Sequence, residues 1–183
     1  MRMTDPIRVE AYDRQRPTRF VEQAGALRAA LGEVALRIDH VGSTAVPGLA
    51  AKPIVDIQIS VAEFEPLDAF RVPLERLGYV FSVDNQERTK RYFREPPGGR
   101  RTHLHIRRAS SFSEQLALLF RDFMPAHPDW AQRYGELKVT LAERHAGDRH
   151  RYTEEKRPFT WEALAEADEW AQRTGWFPGP SDA

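Results

Sequence analysis

The chain has 183 residues, 27 basic side chains balanced by 27 acidic ones, and 41% hydrophobic residues, a globular composition that excludes a fibre or a low-complexity chain. The absence of cysteine excludes a disulfide framework, a thiolate nucleophile and a Cys-type zinc site. No apolar run approaches the roughly 20 residues of a membrane helix, and residues 1–8 lack the apolar stretch of a signal peptide, so a cytoplasmic protein with no membrane partner is expected.

Residues 7–12 read as a short strand, followed by the breaker Arg16-Pro17. Residues 18–31 predict a helix, with Phe20, Val21, Ala24, Leu27 and Leu31 at helical spacing and Gly32 just past its end. Residues 34–41 alternate apolar and polar, as a strand does. Residues 45–53 are interrupted by Pro47 and Gly48 and hold a turn of helix at most. Residues 54–61, strongly β-branched, predict a buried strand. A helix is expected over 64–77, complicated by Pro66 and Pro73, and short strands over 79–83, 90–94 and 102–107. After Ser110 the texture becomes helical, over 113–124, 128–146 and 160–174. The organisation expected is an α/β core over residues 1–109 and a C-terminal helical segment over 110–183 that packs back on it.

Charge is unevenly placed. Between Arg88 and Arg108 lie eight basic residues against the single acid Glu95, a net of +7 that leaves −7 for the rest of the chain. Arginine forks match phosphate oxygens well, so Arg91, Arg94, Arg100 and Arg101 are candidates to grip an anionic ligand. An exposed strand kept soluble by charge is the plainer alternative. Few aromatic residues and no recognisable RNA module argue against nucleic acid as the partner.

The most informative local feature is Gly42-Ser43, directly after a predicted strand, with the twelve residues 44–55 separating it from Asp56 on the next strand. A Gly-Ser turn lets backbone N–H groups and a hydroxyl approach a phosphate. A strand carboxylate beside such a turn can hold a divalent ion that bridges to nucleotide phosphates. The purely structural alternative makes Gly42 a turn glycine, Ser43 a helix cap and Asp56 a strand-end acid. A carboxylate on so apolar a strand nevertheless needs a partner. His103 and His105 share one strand face and, with Asp56, suit a mixed nitrogen–oxygen metal site, a structural or surface histidine pair being the plainer alternative; His105 is also a candidate general base. Lys52 can meet a phosphate as a point charge, and His40 can bond the loop backbone.

The run from His40-Val41-Gly42-Ser43-Thr44 through Lys52-Pro53-Ile54-Val55-Asp56-Ile57 resembles the signature of the GrpB family, as do Val9 to Asp13, His103-Leu104-His105 and Phe120 to Phe123. That family is assigned to the nucleotidyltransferase superfamily. The resemblance implies an α+β fold, a nucleotidyltransferase-like mixed sheet with flanking helices and a C-terminal helical segment. It also implies that Gly42 and Ser43 bind a triphosphate and that Asp56 holds Mg²⁺ or Mn²⁺; the basic residues Lys52, Arg91, Arg94 and Arg101 are the candidates, on their own chemistry, to assist at the phosphates. In the superfamily an acid–any–acid pair on this strand and a third acid on a later one complete the site. Here those places fall to Gln58 and His105, which gives Asp56, Gln58 and His105 as implied metal ligands and Asp56 with His105 as implied catalytic groups. The implied reaction is transfer of a nucleotidyl group to a small acceptor. The departures at Gln58 and His105 equally suit a non-catalytic module that binds a nucleotide or a coenzyme A-like ligand.

Overall fold

The computed structural model describes residues 6–183, so five of the eight residues read as lacking a signal peptide lie outside it. Among the described residues no helix is long and apolar enough to cross a membrane. The chain divides into two compact units that interleave along the sequence. A sheet unit comprises 14–41, 54–117 and 179–183, and a helical unit comprises 6–13, 42–53 and 118–178.

The sheet unit holds α1 (Arg16–Leu31), β1 (Arg37–Val41), β2 (Val55–Val61), α2 (Asp68–Arg76), β3 (Val80–Phe81), β4 (Arg91–Arg94), β5 (Thr102–Arg108) and the start of α3 (Phe112–Ala126). Its five strands lie in the order β1-β2-β5-β4-β3, with β2 and β5 parallel and every other pair antiparallel. The mixed α+β architecture is the one expected. Strand alternation divides the sheet into two faces of different chemistry. Val55, Ile57, Ile59 and Val61 of β2 join Ile38, Phe93, Leu104 and Ile106 in a core closed by Phe20, Ala24, Leu27 and Leu31 of α1 and Phe70 and Leu74 of α2. Burial of each large apolar side chain there contributes about 1.5–3 kcal/mol. The intervening positions, Asp56, Gln58 and Ser60 on β2 and His103, His105 and Arg107 on β5, project from the opposite face.

Strand β1 lies at the sheet edge, and its open groups are satisfied by side chains near the C-terminus. Ser181 Oγ accepts from the Ile38 N–H (2.8 Å) and donates to the Ile38 carbonyl (3.1 Å), while Asp182 accepts from the His40 N–H (2.8 Å). Capping an edge in this way removes a template for pairing with another chain.

The helical unit contains the rest of α3, α4 (Pro128–Arg144) and α5 (Arg149–Thr174). Leu119, Phe123 and Ala167 pack with Trp130, Trp170 and Trp176, and Ile7 packs with Leu141, Ala142 and Tyr152. Helix α5 begins eleven residues before the expected 160. Asp148 caps it by accepting from the Arg151 N–H at 3.0 Å, and the helix continues through Pro158. A proline forfeits one backbone bond, which the packing of so long a helix absorbs. Gly175 ends it in the left-handed conformation, as helix termini favour.

Residues 7–12 do not form a strand. Glu10 makes a single antiparallel bridge to Ala51 (3.0 and 2.9 Å), and the Ile7 N–H bonds the Ala146 carbonyl at 2.7 Å. The facing segment carries Pro47, Gly48 and Pro53 and cannot extend a ladder. Helix α2 starts at Asp68 instead of residue 64, past Pro66.

Candidate metal centre

The parallel pairing of β2 and β5 sets Asp56 opposite His103 and Gln58 opposite His105. Oδ1 of Asp56 lies 3.0 Å from Nε2 of His105 and 3.3 Å from Nδ1 of His103. Tyr92 of β4 stands opposite His105, its ring centroid 5.2 Å from that of His103 and 5.5 Å from that of His105. Burial works to raise the Asp56 carboxyl, but hydrogen bonds from His103 and His105 outweigh it and hold the group well below the usual carboxylate range. Burial pulls the His105 imidazole below its ordinary value, with Asp56 opposing. Burial likewise pushes the Tyr92 phenol up to about 12, so it remains a neutral hydroxyl at ordinary pH.

Arg101 approaches the same group. Its Nε lies 2.5 Å from Glu95, and its Nη2 lies 3.4 Å from Nε2 of His103. A guanidinium only donates, so Nε2 of His103 accepts and its Nδ1 carries the proton directed at Asp56. Arg94 lies over the Tyr92 ring at 5.8 Å. Arg91 belongs to the other side of β4, 4.3 Å over the Phe64 ring and 4.0 Å from Glu65. The basic segment is thus partly neutralised by acids from outside it, including Glu87, which holds Lys90 at 2.6 Å and Arg107 at 3.3 Å. Burial opposes ionisation of Glu87, yet the Lys90 and Arg107 charges bring it down to about 2.

Gln58 is fully buried. Its Nε2 donates to the Glu114 carbonyl at 3.3 Å, and its Oε1 has no hydrogen-bond partner among the described residues. Glu114, at the start of α3, is buried too: its carboxylate accepts from the Ser60 hydroxyl, the Ser110 N–H (2.7 Å) and Gln115 (2.9 Å). The one local signal for Glu114 in the sequence is its spacing from Ser111, that of a helix-capping pair, and the Glu114 N–H bonds Ser111 Oγ at 3.4 Å.

Gly42, Ser43 and Lys52 belong to the helical unit. Gly42 has φ 70° and ψ −168°, a backbone region open essentially to glycine, and Ser43–Ala45 forms a single 3₁₀ turn. Lys52 Nζ lies 5.1 Å from the centroid of Tyr152. The same unit contains a cavity of about 720 Å³, lined by residues that include Leu49, Met124, Ala131 and Val139; none of the candidate site residues lines it. His40, in the sheet unit, stacks on Phe20 with centroids 4.9 Å apart, on the apolar side of the sheet.

Among the described residues, Asp56, His103 and His105 are a group whose ligand atoms all lie within 4.8 Å of one another. One carboxylate oxygen and two imidazole nitrogens suit Mn²⁺, Fe²⁺, Co²⁺ or Zn²⁺ better than Mg²⁺, which prefers an all-oxygen shell.

The sequence pattern of the GrpB protein family matches residues 6–166. The crystal structure of conserved protein GrpB from Enterococcus faecalis superimposes with a TM-score of 0.78 at 35% identity, covering 87% of this chain and 98% of that one. The chain is 41% identical over 156 residues to UPF0157 protein PA4798 of Pseudomonas aeruginosa, covering 83% of this chain and 64% of that protein. It is 34% identical over 198 residues to a dephospho-CoA kinase of Mycolicibacterium paratuberculosis, covering 94% of this chain and 49% of that protein. The chain thus spans between about half and two thirds of these two curated relatives. Together, the pattern match over most of its length and the shared fold establish that the chain belongs to the GrpB family.

Proposed function

We propose that this GrpB-family protein binds a nucleoside triphosphate, or a related phosphate-bearing molecule, and transfers its nucleotidyl group to a small acceptor. The reading is carried by the ionised Asp56 carboxylate, held between two imidazoles on the polar face of the sheet. In this reading Arg101, which lies beside His103, and Arg94, which lies beside Tyr92, orient an anionic substrate. Gly42 and Ser43 enter as phosphate contacts from the family resemblance, and Lys52 as a basic side chain able to meet a phosphate as a point charge. A divalent ion such as Mn²⁺, when bound, supplies charge to offset that of the triphosphate. In the reaction the acceptor hydroxyl oxygen attacks the α-phosphorus. The bond from that phosphorus to the bridging oxygen of the β-phosphate breaks, pyrophosphate leaves, and the hydroxyl proton passes to water. Relatives that are named dephospho-CoA kinase make dephospho-CoA the first acceptor to test.

One observation favours a second reading, a non-catalytic binding module. Gln58 stands where the superfamily places its second acid, and its amide is engaged with Glu114. Calorimetry with ATP, with and without Mn²⁺, followed by a pyrophosphate assay with dephospho-CoA, separates the two. Transfer predicts ion-dependent binding that Asp56→Ala abolishes, together with pyrophosphate release. Ion-independent binding without release supports the module, and no nucleotide binding under either condition overturns both.

A further inference from the structure

We infer that Asp56, His103 and His105 form a binding site for a first-row transition ion of the zinc and cobalt class, through Oδ1, Nδ1 and Nε2 respectively, with at least one position left open to solvent or ligand. This goes beyond the nucleotide reading and does not require it. The spacing carries it first. Metal–ligand bonds of about 2.0 Å in a tetrahedral shell set ligand atoms roughly 3.3 Å apart. The Asp56 oxygen is already 3.3 Å from one nitrogen and 3.0 Å from the other. An ion therefore replaces two hydrogen bonds and leaves the strands where they are. The scaffold carries it second, because all three ligands stand on the directly paired strands β2 and β5, whose parallel register fixes their separation.

The surroundings carry it third. Nδ1 of His105 and Oε1 of Gln58 are both buried without a hydrogen-bond partner among the described residues, and the two side chains stand opposite each other in the β2–β5 pair. An ion on Nε2 forces the His105 proton onto Nδ1, and the Gln58 oxygen is the acceptor that this tautomer needs from the neighbouring strand. Outer partners of this kind orient metal-bound histidines. At His103, ligation through Nδ1 moves the proton to Nε2, which then no longer accepts from Arg101. The guanidinium keeps its contact with Glu95 and gains a free donor beside the ion. The donor set disfavours magnesium, whose hard, octahedral demand is not met by two imidazoles.

The test uses the full chain, stripped with a chelator and titrated with Co²⁺ in the absence of any nucleotide. The expected result is one equivalent bound, with the intense visible absorption of a four- or five-coordinate cobalt ion, displaced by Zn²⁺ and indifferent to excess Mg²⁺. His103→Gln and His105→Gln each weaken binding by at least about 100-fold, the upper end of what loss of an outer partner costs. His150→Ala, a change at an exposed histidine elsewhere, leaves it unchanged. Thermal unfolding establishes that each variant is folded. Absence of cobalt binding, competition by Mg²⁺ at equal concentration, or binding that survives both histidine substitutions in folded protein overturns the site. Because no nucleotide is present, such a failure is distinct from failure of nucleotide binding.

Discussion

Asp56 and His105 are not register partners, since Asp56 faces His103 and Gln58 faces His105, yet Oδ1 of Asp56 lies 3.0 Å from Nε2 of His105. A single carboxylate oxygen therefore serves two imidazoles, one directly across the pair and one two residues further along. Stability must depend on the protonation of this group.

The sign follows from the shifts. Asp56 is depressed below its unfolded value, so its contribution is present above about pH 4 and is lost as pH falls below that value. His105 is also depressed, here by burial, so the folded state resists its protonation and loses stability as pH falls below about 6.5. Thermal unfolding of chelator-treated protein from pH 7 to pH 3.5 is expected to show a falling midpoint throughout. Asp56→Asn lowers the midpoint at pH 7 and flattens the part of the curve below about pH 4. A variant curve parallel to the parent's would show that Asp56 is not the titrating group.

Placing an acid at position 58 is expected to harm this chain. Gln58→Glu removes the Nε2 donor and sets a carboxylate against the Glu114 carbonyl in a fully buried position. The loss should be at least about 1–3 kcal/mol, more if the new group stays ionised. Urea denaturation measures it. Unchanged stability with a gain in Mg²⁺ affinity would instead mean that position 58 is a direct ligand.

Lys138 is buried in the helical unit, donating to the Ala50 carbonyl and lying 4.4 Å from the Tyr134 centroid. Lys138→Met keeps much of the volume and removes the donor. The variant is expected to be about 1–3 kcal/mol less stable, the cost of a buried acceptor losing its bond. A variant as stable as the parent would show that the carbonyl finds another partner.

Gly42→Ala forces a side chain into φ 70°. It should destabilise the protein by about 1–3 kcal/mol. Cobalt binding, which depends on Asp56, His103 and His105, should be unchanged in the folded variant. A cobalt affinity that falls with this substitution would contradict the assignment of ligands to β2 and β5 alone.

Arg101→Ala removes the donor beside His103 and frees Glu95. Binding of an anionic nucleotide is expected to weaken about tenfold, with a shallower dependence on salt. Equal affinity at low salt would remove Arg101 from the ligand-binding residues.

Much of this was legible in the chain itself. The β-branched run over residues 54–61 placed β2, and the strand period of two put Asp56 and Gln58 on one face, because that period is a local property of the backbone. The spacing of His103 and His105 did the same on β5, and the helical stripes located α1, α3 and α4. Pairing was a different matter. Nothing local says that β5 lies beside β2 in parallel with Asp56 opposite His103, or that Gln58 is engaged by the first turn of α3. Nor does the helical stripe of α5 reveal that it starts at Arg149 and runs through Pro158. The sequence by itself determined the elements, their faces and the kinds of side chain available. Only the tertiary structure decided which of those side chains meet, because strand register and helix docking are set by long-range packing of the apolar face. The charge asymmetry shows the same division. The net +7 between Arg88 and Arg108 is a fact of the sequence, whereas which of those arginines is paired off by Glu65, Glu87 or Glu95 is a fact of the fold.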